Sequence, residues 1–258
     1  MAPILLDIDG VLHVSGVPID GAADAVRALR EAGHRLRFVT NNTTRPRGRL
    51  AAELRGMGFE VDDDEIETTP LAAGRLLAGA RVLALTMPAI HEDLARHVEL
   101  VEADAQAVLV GGADETEDTE RVFAWARLTA AFAELQAGAR LLCLHRNRWW
   151  QTARGPLLDS GAVVVGLEYA ARIEAELVGK PSRAYFESAL AALKAEAAEA
   201  TMIGDDVESD VGGAKRLGMR GVLVRSGKFR EESLAAAEIR PDGVIDSLAD
   251  LPDFLAER

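Results

Sequence analysis

The sequence predicts an α/β protein: a doubly wound parallel sheet with a smaller α/β domain inserted into it. Short apolar runs alternate with segments of helical periodicity, the rhythm of a parallel sheet with crossover helices. The apolar runs end in polar clusters, as strands do whose carboxyl ends line a ligand crevice. The rhythm also changes content between residues 73 and 175 and then resumes, so residues 1–72 and 176–258 are assigned to the core and 73–175 to the insert.

In chain order, Ile4, Leu5, Leu6 and Ile8 form a run suited to a strand buried on both faces, ending at Asp7 and Asp9-Gly10. Residues 11–19 alternate enough for a small hairpin. A helix is expected over 21–32, with Val26 and Leu29 on one face and Gly33 as its stop. Leu36-Arg37-Phe38-Val39 reads as a strand running into Thr40-Asn41-Asn42, and Pro46 suits the first turn of a helix that ends near Gly58. In the insert, strands are expected at 82–85, 107–110 and 140–144, with helices from Pro88 and over 119–136. Beyond it come Gly179-Lys180-Pro181-Ser182 and a helix whose stripe of Tyr185, Phe186, Ala189, Leu190 and Leu193 reads as core. Thr201-Met202-Ile203 is a strand ending in Gly204-Asp205-Asp206 and, four residues later, Asp210. Strands at 222–224 and 244–245 and a helix over 248–255 complete the core.

Composition narrows the function. A formal charge of −13 argues against sequence-independent nucleic-acid binding, which needs surplus Lys and Arg to replace counterions. Cys143 is the sole cysteine, so no intrachain disulfide forms and a reducing, cytoplasmic compartment is expected. No signal peptide is read before Ile4 and no apolar stretch reaches the length of a membrane span, so no membrane partner is expected.

The polar clusters carry the chemistry. Several carboxylates with one lysine, and no His or Cys at ligand spacing, describe a site for a hard cation such as Mg²⁺ rather than Zn²⁺. A carboxylate can attack phosphorus once the repulsion of a phosphate dianion is screened. Lys180 and a metal ion would screen it, and the Thr40 hydroxyl can donate to a phosphoryl oxygen. Asp9, with a like charge nearby and some burial, is suited to hold a proton as acid and base. Taken singly, each cluster also fits a turn, a helix cap or an exposed lysine.

Together and in this order, Asp7-Ile-Asp9-Gly10-Val, Thr40-Asn41, Gly179-Lys180-Pro181 and Gly204-Asp205-Asp206…Asp210 resemble the four motifs of haloacid-dehalogenase-like phosphatases. The insert is similar to that of the type IIA subfamily, whose cap is an α/β domain. The resemblance implies a Rossmann-like core and Mg²⁺-dependent hydrolysis of small phosphorylated molecules. It implies Asp7 as nucleophile, Asp9 as acid and base, Thr40 and Lys180 as phosphate ligands, and a metal held by Asp7, Asp205 and the Asp9 carbonyl. Asp206 and Asp210 would orient those ligands. A homodimer formed through the cap is likewise implied. Transfer to an acceptor other than water uses the same intermediate and stays open. A binding protein without catalysis would have lost Asp7, Asp9 or Lys180, and all three are present.

Asn41 and Asn42 are assigned to substrate binding with Thr40. The insert adds His145-Arg146-Asn147-Arg148-Trp149-Trp150. In it Arg146, Arg148 and Trp149 suit an anionic or planar leaving group, and packing of the tryptophans within the insert or against a second copy is the alternative.

Overall fold

The computed structural model describes residues 2–152 and 155–257. It divides into two compact units, Met1–Thr40 with Arg47–Glu67 and Lys180–Arg258, and Asn41–Pro46 with Thr68–Gly179. Both are sheets flanked by helices.

The first unit is built on six strands: β1 (Pro3–Asp7), β2 (Arg35–Thr40), β3 (Ile66–Thr68), β4 (Thr201–Gly204), β5 (Arg220–Val224) and β6 (Gly243–Ile245). Their spatial order is β6-β5-β4-β1-β2-β3. β1 pairs in parallel with β2 (Leu6 beside Phe38) and with β4 (Leu6 beside Ile203). The chain therefore runs outward from β1 in one direction and outward from β4 in the other. The order reverses between those two strands, which makes their carboxyl ends the switch point where open α/β sheets bind ligands.

All five residues of β1 are buried, as the unbroken apolar run requires. Ile4 and Leu6 join the larger core with Phe38, Ile203 and Val222. On the expected helix, Ala22–Glu31 buries Ala25, Val26 and Leu29 against the sheet and stops before Gly33, whose φ of 79° no branched side chain adopts comfortably.

The second unit carries five parallel-paired strands in the order Glu176–Leu177, Arg140–Cys143, Ala107–Val110, Arg81–Leu85, Glu99–Leu100. A separate antiparallel pair joins Trp149–Thr152 to Gly155–Leu158. One departure from the sequence reading and one helix outside it are informative. The helix expected over 119–136 is broken into Glu117–Val122 and Trp125–Gln136 by Ala124, whose ψ is 141°. No Gly or Pro marks the break; Val122 is buried and Phe123 packs on the unit's core, so tertiary contact decides it. Gly161–Ala171, with three consecutive valines, is helical because Val164 and Leu167 fall on one buried face. Among the described residues no helix is long and apolar enough to cross a membrane.

One buried ion pair ties the edge of the first sheet. Arg37 in β2 and Glu67 in β3 are 4% and 0% exposed and form an ion pair, and Glu67 Oε1 also accepts from Ser188 Oγ at 2.8 Å. Removing one member leaves an uncompensated buried charge. Glu67→Gln is therefore expected to cost about 3–5 kcal/mol, read as a lower urea midpoint, and Arg37→Met with Glu67→Met to recover most of that loss.

Candidate active site

The residues at the switch point converge. Asp7 ends β1, Asp205 follows β4, and Asp210 lies in the π-helical turn Val207–Gly212. One carboxylate oxygen from each lies within 4.8 Å of the other two, and all three residues are buried. Lys180 Nζ is 2.7 Å from Asp7 Oδ1 and 2.7 Å from Asp210 Oδ1. Asp7 Oδ1 also accepts from the Ile8 N–H at 2.9 Å.

Local structure explains how each group arrives. Asp206 caps the turn after β4, accepting from Glu208 N and Ser209 N at 3.0 and 2.9 Å. Asp210 Oδ2 accepts from Asp206 N at 3.1 Å. Gly204 lets Asp210 approach: a Cβ there would meet Asp210 Cβ at 2.2 Å. Gly10, at φ 89°, does the same for Asp205, whose Oδ2 would lie 1.9 Å from an added Cβ. Asp205 Oδ2 accepts from Lys228 N at 2.7 Å, while its Oδ1 is buried with no hydrogen-bond partner among the described residues. Ser182 caps the helix Arg183–Leu193, which begins three residues after Lys180.

Burial pushes the Asp7, Asp205 and Asp210 carboxyls up to about 6 in each case. Lys180 opposes the shift at Asp7 and Asp210, while neighbouring carboxylates add to it. Burial also works against the Lys180 ammonium, but Asp210 and Asp7 outweigh it and hold the lysine above its ordinary value. Asp7 and Asp210 thus share the buried Lys180 ammonium, and Asp205 beside them also feels the charge of Lys228.

Other positions read from the sequence lie differently. Asp210 lies beside Asp7 and Asp205 and pairs with Lys180. The Asp9 side chain is 51% exposed and faces His13 Nε2 at 3.8 Å; burial, one of the reasons for expecting it to hold a proton, is absent because the chain turns outward at Gly10. Thr40 is buried at the end of β2, and its N–H donates to Tyr185 Oη at 2.8 Å. That hydroxyl escaped the sequence reading, where Tyr185 was one residue of an apolar stripe.

Asn41 and Asn42 belong to the second unit. Asn42 Oδ1 accepts from Thr44 N and Arg45 N at 3.1 and 2.8 Å, which stabilises the turn it sits in. Arg146 forms a two-pronged pair with Glu168 at 2.7 and 2.8 Å, so its guanidinium is already engaged within its own unit. Arg148 is exposed and Trp149 is 55% exposed at the start of the hairpin.

An open α/β sheet whose switch point carries a buried carboxylate cluster and a buried lysine offers oxygen ligands of the kind a hard cation takes, at the place where such sheets bind ligands. Family models agree: the haloacid dehalogenase-like hydrolase model matches residues 4–98 and a HAD-hydrolase-like model matches 177–251. Phospholysine phosphohistidine inorganic pyrophosphate phosphatase of Xenopus laevis is 39% identical over 262 residues, covering 98% of this chain and 93% of its own. Among solved structures, p-nitrophenyl phosphatase from Archaeoglobus fulgidus is 29% identical, covers 98% of both chains and superposes with a TM-score of 0.88. A glycerol phosphate phosphatase from Mycobacterium tuberculosis in complex with magnesium is 28% identical, covers 97% of this chain and 76% of its own, and gives 0.83. The chain belongs to the haloacid dehalogenase-like hydrolases, on their phosphatase side.

The raised carboxyls make stability depend on pH. Their folded values near 6 lie above the ordinary 3.8, so between those values the folded state holds protons that the unfolded chain has released. Without divalent metal, stability is expected to fall as pH rises from about 4 to 6. The check is a series of urea melts in EDTA; a rise with pH across that window contradicts it.

Proposed function

We propose that this chain is a Mg²⁺-dependent phosphatase of small phosphorylated molecules, acting through a phosphoryl group carried on Asp7. The observation that carries this reading is the buried cluster of Asp7, Asp205 and Asp210, with the Lys180 ammonium held between Asp7 and Asp210. Its donor set fits a hard divalent cation: oxygen ligands, an excess of negative charge, and a buried Asp205 oxygen without a hydrogen-bond partner among the described residues. Asp7, Asp205 and the Asp9 carbonyl would hold the ion, with Asp210 and Asp206 orienting them. When bound, the ion supplies charge screening and a Lewis acid for the phosphoryl oxygens.

The chain's own groups do the rest. Lys180 and the Ile8 N–H hold Asp7 Oδ1, which aims the carboxylate so that its other oxygen attacks phosphorus. Lys180 also lowers the repulsion between Asp7 and the incoming dianion, and the Thr40 hydroxyl donates to a phosphoryl oxygen. As the ester bond breaks, Asp9 gives a proton to the leaving oxygen. It then takes one from the water that attacks phosphorus and frees Asp7. The half-exposed Asp9 side chain suits that double role, because it must meet both leaving group and water. The acceptor is water in this reading, and transfer to another acceptor would proceed from the same phosphoryl-Asp7.

The substrate class follows the relatives' names: phosphomonoesters, pyrophosphate and phosphoamides of small molecules. Arg148 and Trp149, exposed in the second unit, are the residues proposed to select among them. The protein is further proposed to be cytoplasmic and a homodimer, without nucleic-acid or membrane partners.

Two experiments bear on the reaction. Hydrolysis of p-nitrophenyl phosphate should cease in EDTA and return with Mg²⁺. Mg²⁺ should also raise the melting temperature more at pH 7.5 than at pH 5, where the cluster's protons compete with the ion. Equal activity in EDTA and Mg²⁺ rules the metal out. Separately, Asp7→Asn should abolish turnover, since an amide does not attack phosphorus. Asp9→Ala should lose about 10²–10⁴-fold in each step it serves. Nitrophenolate needs little help in leaving, so Asp9→Ala should give a burst of product and a protein heavier by one phosphoryl group on Asp7. Phosphate found on another residue, or activity in Asp7→Asn, defeats the mechanism.

A further inference from the structure

The Tyr185 ring behaves as a core residue: it is fully buried and packs edge-on against Phe186, ring centroids 6.0 Å apart. Packing alone is satisfied as well by phenylalanine, and a buried hydroxyl is costly unless it is used. Here it is used three times. Tyr185 Oη lies 2.8 Å from Thr40 N, 2.9 Å from Thr40 O and 2.8 Å from Glu67 O. A phenol has one proton and can accept as well. The Thr40 N–H donates to Oη, and the tyrosine proton is shared between the two carbonyls.

These backbone groups sit at the carboxyl edge of the sheet. Thr40 is the last residue of β2, and Glu67 is next to last in β3. The chain leaves the first unit directly after each of them, at Asn41 and Thr68. Where a strand ends, its ladder of backbone partners ends too, and buried N–H and C=O groups must be satisfied otherwise. The same short segment, residues 180–185, thus presents an ammonium to Asp7 and Asp210 and a hydroxyl to the backbone of Thr40.

We propose that Tyr185 is a positioning residue for phosphoryl binding: its hydroxyl fixes the Thr40 backbone and thereby aims the Thr40 hydroxyl at the phosphoryl site. This rests on the reading of Thr40 as a phosphoryl ligand. Tyr185 touches neither substrate nor metal; its effect passes through Thr40.

The test is a double-mutant cycle read by orthovanadate inhibition of p-nitrophenyl phosphate hydrolysis in saturating Mg²⁺, using wild type, Tyr185→Phe, Thr40→Ala and the double variant. Thr40→Ala keeps the backbone N–H and removes the hydroxyl group that is aimed, together with the γ-methyl. Tyr185→Phe is expected to weaken inhibition by about 10- to 100-fold, the usual result of misplacing a binding group by about an ångström. In the Thr40→Ala background the same substitution should add almost nothing, because no hydroxyl remains to be aimed. An equal loss in both backgrounds would show a merely structural role and overturn the proposal. So would wild-type inhibition in Tyr185→Phe alongside a loss in Thr40→Ala. If Thr40→Ala itself is inhibited like wild type, the reading of Thr40 fails and takes the proposal with it, and that outcome is separate from the other two. A measurement on the unaltered protein covers the case in which Tyr185→Phe does not fold. Orthovanadate with Mg²⁺ should slow hydrogen exchange at the Thr40 amide by about fivefold or more, since a coupled bond tightens when the ligand binds. Unchanged exchange overturns the proposal.

Discussion

The ammonium of Lys180, enclosed between Asp7 and Asp210, is the interaction on which the carboxyl edge of the first sheet depends. It joins residues 173 positions apart, so it exists only when β1 and β4 are paired and the helix after Lys180 is docked. Breaking such a buried pair leaves a charge that the interior cannot solvate. It is also incomplete as charge balance, because three buried carboxylates meet one buried lysine and the exposed Lys228, which acts on Asp205. The pocket is therefore built with a deficit of positive charge, and a deficit of that kind attracts a cation or retains protons.

Backbone conformation is bent to serve this arrangement. Asp205 and Asp210 reach the switch point because Gly10 and Gly204 have no Cβ in their path. Asp206 spends its carboxylate on capping the turn that carries Asp210, which is how two adjacent aspartates come to have unlike tasks. Asp7 and Asp9 diverge in the same way: the first ends a strand buried on both faces, and the second lies beyond it, half exposed at the turn before Gly10.

In the second unit, His145 is buried facing Asp159 at 3.7 Å and Arg146 is locked to Glu168, so the first half of the basic-aromatic loop is taken up in holding the loop's own shape. Arg148 and Trp149 remain toward solvent. The two arginines look equivalent in sequence, and Glu168, 22 residues beyond Arg146, engages the first of them.

Much of this protein was legible in its sequence. Strands buried on both faces announce themselves as unbroken apolar runs, and their polar ends mark the crevice, because burial and ligand binding each select residue types locally. The four motifs are likewise local, and it is their order along the chain, rather than any one of them, that singles out Asp7, Thr40, Lys180 and Asp205. What depended on distant partners was not. The break at Ala124 and the helix Gly161–Ala171, with valines at 163–165, follow from which face meets the core. Asp210 joined the carboxylate cluster only once Gly204 allowed its approach. Tyr185 looked like one apolar residue among several, because a hydroxyl's partners are set by the ends of two strands more than a hundred residues away. Residue type and spacing determine which chemistry is available; only the folded chain decides which of those groups share one pocket, since charge, burial and hydrogen bonding act through space rather than along the sequence.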